Sequence, residues 1–240
     1  MQPISMESTR KKTFLIGCAV VINEVQSFVN SSSLTCKTID AGLHLHPEQL
    51  KSYLQQAIDE HDGGFDTIVL GFGLCSNAVL GLKSRTSILV VPRVDDCIAM
   101  LLGSQAHYKK EMAKAPGTYF LSKGWIDAGI TIMDEIRQMA ERYGVERARK
   151  IQQKMFGHYT RLVYIASENE DQEACRQVSR QAAATLELEY QELKGSRRLL
   201  QAMIDGSWDD GFIVVEPGKD ITLADFKAFN PMPEERKLSQ

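Results

Sequence analysis

Residues 67–97, TIVLGFGLCSNAVLGLKSRTSILVVPRVDDC, decide the fold class. Thr67–Gly71 (TIVLG) and Ser87–Val91 (SILVV) are short, nearly continuous apolar runs. A half-exposed strand would alternate; runs of this kind read as strands buried on both faces, as in a parallel sheet. A glycine-rich turn follows the first run, and Pro92 ends the second. Cys75, just past the glycines, reads as the start of a helix.

The same alternation extends in both directions. Upstream, Thr13–Gly17 is a strand that runs into a helix over Ile22–Asn30, and Leu34–Asp40 is a second strand. Pro47 opens a helix to His61, with Leu50, Leu54, Ala57 and Ile58 on one face. Downstream, Cys97–Gly103 and AHYKKEMAK (residues 106–114) are helical, Thr118–Leu121 is a fifth strand, and Ser122–Trp125 is a loop. Residues 132–156 form helix, broken at Gly144; their basic stretch Glu146–Lys154 reads as a solvated face. Then come a strand at Leu162–Ala166, a helix at Asp171–Ala184, a strand at Leu186–Tyr190, a helix at Ser196–Ile204 and a strand at Gly211–Val215.

Strands alternating with helices imply Rossmann-like βαβ units, so the expected fold is α/β with largely parallel sheets flanked by helices in two lobes. The expected organisation is a flexible N-terminus over residues 1–12, a first α/β lobe over 13–125, a helical connector and second α/β lobe over 126–216, and a polar tail over 217–240 with apolar pieces at Phe226 and Phe229.

Composition narrows the function classes. A net charge of −3 gives no electrostatic footprint for nucleic acid. No apolar run approaches the roughly 18 residues that span a bilayer. The FLIG segment at 14–17 reads better as a first strand than as a signal peptide. Five cysteines without dense spacing fit free thiols in a reducing cytoplasm. The expected partner is a small molecule; the oligomeric state is left open.

Ligands of open α/β sheets bind outside the carboxyl ends of the strands. Polar and thiol groups recur there: Gly17-Cys18, His44 and His46, Gly71 to Asn77, Arg93 to Cys97, and Lys123-Gly124-Trp125. Cys18, Cys75 and Cys97, from three connections, form a candidate metal site for zinc or an iron–sulfur cluster, since thiolates are natural ligands of soft metals. Each alone reads equally as a small buried hydrophobe; Cys36, within a strand, and Cys175, within a helix, are read that way. Cys75 is also a candidate nucleophile, with a helix N-terminus to lower its pKa and His44 or His46 as base. Gly71 and Gly73 lack the third glycine of a dinucleotide fingerprint and let the backbone turn or approach a ligand. Arg93 is a candidate anchor for a carboxylate, or a partner of Asp95 or Asp96. Trp125 stacks on a planar ligand or joins the core. Glu24 reaches back to the site, caps a helix or is solvated.

The motifs GCAVVINEV, LHLHPEQL, VLGFGLCSNAVLGL, VPRVDDCIAMLLGS and GTYFLSKGW, in this order, resemble the domain of unknown function 1638 family, over roughly residues 13–200. The resemblance implies a cytoplasmic α/β protein whose relatives occur beside corrinoid-dependent methyltransferase systems. It supports Cys18, Glu24, His44, Pro47, Cys75, Arg93, Asp96, Cys97 and Trp125. This chain departs from the family pattern at His46, where relatives tend to carry asparagine, and at Asp95, where many carry histidine. Three functions are therefore expected as rivals: a metal- or iron–sulfur-dependent protein acting on a small molecule, a corrinoid- or tetrapyrrole-binding accessory protein with His44 or His46 as axial ligand, and a metal-free cysteine enzyme using Cys75.

Overall fold

A computed structural model describes residues 12–29, 35–167 and 172–227. The expected N-terminal segment before Lys12, the tail beyond Lys227 with Phe229, and the expected element ends Asn30, Leu34 and Asp171 lie outside the described residues.

The chain is α/β, with two sheets. The first has the order β2-β1-β3-β4-β8. Its strands are β1 (Thr13–Cys18), β2 (Cys36–Ile39), β3 (Thr67–Gly71), β4 (Ile88–Pro92) and β8 (Phe212–Val215). All neighbours are parallel except β4 and β8. The sequence explains the order: β3 is buried along its whole length and β1 and β4 nearly so, whereas CKTI of β2 is half-exposed, as an edge strand should be. Helix α1 (Ala19–Gln26) follows β1, and α2 (Pro47–His61) follows β2 after a 3-10 turn at Ala41–Leu45. Leu50, Leu54, Ala57 and Ile58 of α2 are fully buried, as their spacing predicts; each of the larger side chains contributes about 1.5–3 kcal/mol by leaving water.

The link from β3 to β4 corrects one expectation. No helix starts at Cys75. Cys75, Ser76 and Asn77 have φ of 44°, 56° and 69°, three successive non-glycine residues in the left-handed region. A right-handed helix cannot begin there, and the segment runs through turns that bury Ala78, Val79 and Leu82. Asp62, just past α2, fastens the end of this link: its carboxylate accepts from the backbone N–H groups of Arg85, Thr86 and Ser87 at 2.7, 3.0 and 3.0 Å.

Helices α3 (Cys97–Leu101) and α4 (Gln105–Lys114) lead to the second sheet, β5-β6-β7, all parallel. It comprises β5 (Thr118–Ser122), β6 (Arg161–Ala166) and β7 (Glu189–Lys194). β5, expected with the first four strands, instead pairs with β6, and β8 returns to the first sheet. β7 lies C-terminal to the strand expected at Leu186–Tyr190, because Leu186 and Glu187 complete the turn after helix α8 (Glu173–Thr185), Glu187 at φ 57°. The loop expected at Ser122–Trp125 is the start of a helix, α5 (Lys123–Ala128), with Ser122 as its cap.

Helices α6 (Ile132–Tyr143) and α7 (Val145–Phe156) meet at Gly144, whose φ of 81° suits glycine. Arg147, Arg149, Lys150 and Lys154 of α7 are exposed, as expected of a solvated face. Helices α9 (Arg198–Asp205) and α10 (Leu223–Lys227) complete the set. Both sheets share one core: Phe120, Val163 and Ile165 pack in the same cluster as β1, β3 and β4. Among the described residues no helix is long and apolar enough to cross a membrane.

Candidate functional site

The strand order 2-1-3-4 places a topological switch between β1 and β3, where the chain leaves the sheet in opposite directions. A crevice opens outside the carboxyl ends at such a point. Cys18 is the last residue of β1 and the cap of α1. His44 lies in the 3-10 turn after β2, Cys75 in the turn after β3, and Cys97 opens α3 after β4.

Each is positioned by local chemistry. Asp40 accepts from Gly42 N at 2.7 Å and starts the turn that carries His44. The His44 ring stacks on Phe72, centroids 5.9 Å apart. Asp96 caps α3, accepting from Ile98 N at 2.9 Å and Ala99 N at 3.2 Å, and so presents Cys97 at the helix start. Leu74 N and Cys75 N donate to Val94 O and Asp95 O, both at 2.9 Å, joining the two thiol-bearing connections. That junction explains Gly73: a Cβ there would stand 2.6 Å from Val94 O and 2.8 Å from Asp96 N. Gly71 likewise lies against Gly17 and Val21. These glycines admit neighbouring backbone and side chains, and neither lines the cleft described below.

The five thiols are not equivalent. Burial pushes the Cys36 and Cys175 thiols up. Cys75 is also pushed up, by burial and then by the charge of Cys18. Cys18 alone is held well below the usual thiol range: the Cys97 thiol stabilises its ionised form, burial opposes, and His44 and the N–H of Val21 add to the stabilisation. Cys97 moves the other way, because its proton is shared with Cys18 and because it is buried near Asp96 and Cys75. Both thiols stand at a helix start, so their surroundings separate them: His44 favours an anion at Cys18, while Asp96 and Cys75 oppose one at Cys97.

Cys18, His44, Asp96, Cys97 and Trp125 line a cleft of about 400 Å³, together with Ile130, Asp134, Glu135 and Gln138. Its lining has three carboxylates and neither lysine nor arginine. Burial pushes Asp96 and Glu135 upward.

Several expected site residues lie elsewhere. Arg93 does not hold an anion at the cleft; its guanidinium donates to the carbonyls of Asp225 and Phe212 and ties α10 and β8 to the end of β4. Asp95 is exposed and bonded to Gln105, its backbone N–H donating to Gln105 Oε1 at 2.8 Å. His46 is exposed at the start of α2 and makes no side-chain cap. Cys75, the expected nucleophile, is near Cys18 and Cys97, but neither begins a helix nor lines the cleft. Glu24 is buried and faces the second sheet, accepting from Ser122 Oγ at 2.5 Å, Gly124 N at 2.7 Å and Ser167 Oγ at 3.0 Å. The α6 residues Asp134, Glu135 and Gln138 were not singled out as site residues. The Thr131–Asp134 capping box marks where α6 starts, but no sequence signal shows that its residues line a cleft with Cys18.

Among the described residues no three His, Cys, Asp or Glu side chains form a group arranged to hold a metal ion. A family model described as "Protein of unknown function (DUF1638)" matches residues 38–204. That range holds His44, Cys75, Cys97 and Trp125 and begins after Cys18. No curated protein and no solved structure matches the chain.

Proposed function

We propose, from the premise that this chain belongs to the DUF1638 family, that it is a cysteine-dependent enzyme acting on a small molecule, with Cys18 as nucleophile and His44 as its acid–base partner. One observation carries the reading: the single thiol held below its usual range lines a cleft together with Cys97 and His44. A thiolate is the reactive form of cysteine, and a reactive one needs a donor-rich, partly accessible setting. Cys18 has the donors in Cys97, His44 and Val21; it is 2% exposed in this structure, and the cleft it lines is the route by which a ligand would reach it. A volume of about 400 Å³ suits a metabolite-sized ligand. With Arg93 engaged elsewhere and carboxylates around the opening, a neutral or cationic substrate fits better than a carboxylate.

A second reading keeps the same residues as ligands of zinc or an iron–sulfur cluster. Donor chemistry favours it, since Cys18, Cys97 and His44 interact and Cys75 is close enough to sense their charge. Their arrangement does not yet favour it, because no three of them converge as ligands. A corrinoid held through His44 is a third use of the cleft.

The test is alkylation of the purified full chain with iodoacetamide, with peptide mapping of the modified cysteines and metal analysis of the same preparation. The enzyme reading expects Cys18 to react fastest, most clearly below pH 7, without added metal. Reaction at Cys18 no faster than at Cys36 or Cys175 sinks it. Stoichiometric zinc or iron lost on Cys18→Ser, or corrinoid absorbance lost on His44→Ala, would replace it with the corresponding rival.

A further inference from the structure

A nucleophilic Cys18 leaves its neighbour Cys97 without a task. The two side chains interact directly and line the same cleft. They sit at the ends of different strands, Cys18 on β1 and Cys97 after β4, each at the start of a helix. Cys75, the third thiol of the group, lies outside the cleft lining. Two thiols from different strand ends lining one cleft are the parts needed for thiol–disulfide exchange.

We propose that Cys18 and Cys97 form a redox-active pair that reduces a small cationic disulfide entering the cleft. The inference rests on the reading of Cys18 as the nucleophile. Cys18 Sγ attacks one sulfur of the substrate, R–S–S–R, forming a Cys18–S–S–R mixed disulfide and releasing one RS⁻. Cys97 then loses its proton and attacks Cys18 Sγ. The Cys18–Cys97 disulfide forms, and the second RS⁻ leaves. The protein pair is oxidised by two electrons, the substrate is reduced to two thiols, and the proton from Cys97 goes to a released thiolate. An external dithiol restores the pair by the reverse exchange. The substrate's charge follows from the lining: Asp134 is paired with Arg137, which leaves the carboxylates of Asp96 and Glu135 to attract a cation, and no lysine or arginine of the lining attracts an anion.

The probe is cystamine, a small disulfide with two ammonium groups, compared with dithiodiglycolate, which carries two carboxylates. The full chain is treated with each, quenched, and its thiols counted and mapped. Two of the five thiols should disappear with cystamine, linked as one Cys18–Cys97 peptide pair, and dithiodiglycolate should react several-fold more slowly. Cys97→Ser should stop at a cysteamine adduct on Cys18, and Cys18→Ser should leave Cys97 unreacted. The proposal falls if all five thiols persist, if Cys18 stays as a mixed adduct in the unaltered chain, or if the anionic disulfide reacts as fast. Because the unaltered chain gives the linked peptide directly, the result does not depend on either variant folding. Iodoacetamide mapping on the same sample separates the two claims: fast Cys18 alkylation without a Cys18–Cys97 disulfide overturns the pair and leaves the nucleophile standing.

Discussion

The carboxyl ends of the two sheets occupy equivalent positions in the fold and have opposite fates. At the first sheet they present Cys18, His44 and Cys97 to a cleft. At the second they present Ser122, Gly124 and Ser167 to a single buried carboxylate, Glu24, which accepts from all three. One edge leaves its thiols and histidine lining a cleft; the other uses its polar groups to hold α1 against β5 and β6. Position in the fold therefore nominates a site, and only the partners of each polar atom decide whether it is one.

The largest expected effect tests the closed edge. Glu24→Leu removes the acceptor of buried Ser122 Oγ and part-buried Ser167 Oγ, while Gly124 N keeps its bond to Ser122 Oγ; with about 1–3 kcal/mol for each unsatisfied buried donor, urea unfolding should show a loss of about 2 kcal/mol or more. Cys18→Ser, at the open edge, should cost about 1 kcal/mol or less yet abolish fast alkylation. Equal stability losses for the two would erase the contrast. Gly73→Ala should come next: its Cβ meets backbone of the Val94–Asp96 stretch, which must move at a cost of about 1–3 kcal/mol. Because that stretch leads to Cys97, the same variant should slow Cys18 alkylation; an unchanged rate would separate Gly73 from the site.

The third effect is one of pH. A thiol whose pKa is lowered stays ionised, and so reactive, as pH falls below the usual thiol range, and loses reactivity only through its own lower pKa. Cys18 alkylation should thus persist at pH values where Cys36 and Cys175 have become inert. His44→Ala removes one stabilising group and should move the midpoint upward; a profile that does not move would take His44 out of the site. The smallest effect is expected at Asp95, exposed and bonded to Gln105. Asp95→Ala should change stability by about 0.5 kcal/mol or less and leave the Cys18 rate alone.

The strands, their parallel pairing and the position of the thiols were readable in the chain, because burial on both faces and the carboxyl-end rule act locally. Arg93, expected either to anchor a carboxylate or to pair with Asp95 or Asp96, donates instead to the carbonyls of Phe212 and Asp225, more than a hundred residues away in the chain, where no local pattern points. The start of α5 carries a glycine for a reason invisible in the chain: a Cβ at Gly124 would meet Val20 O at 2.6 Å. The choice between Cys75 and Cys18 was equally hidden. It turns on left-handed backbone at Cys75 and on which thiol shares a cleft with Cys97, and neither leaves a mark in spacing.

β8 has one more implication, for biosynthesis. Synthesis proceeds from the N-terminus, so the strands of the first sheet through β4 emerge early. The partner that covers the outer edge of β4, residues 212–215, emerges only after the whole β5–β7 unit. Through that interval the nascent chain carries a bare, strongly apolar strand edge, the kind that pairs with neighbouring chains. A ribosome stalled before residue 212 should therefore hold a product that chaperones retain, and release of that hold should coincide with the arrival of FIVV.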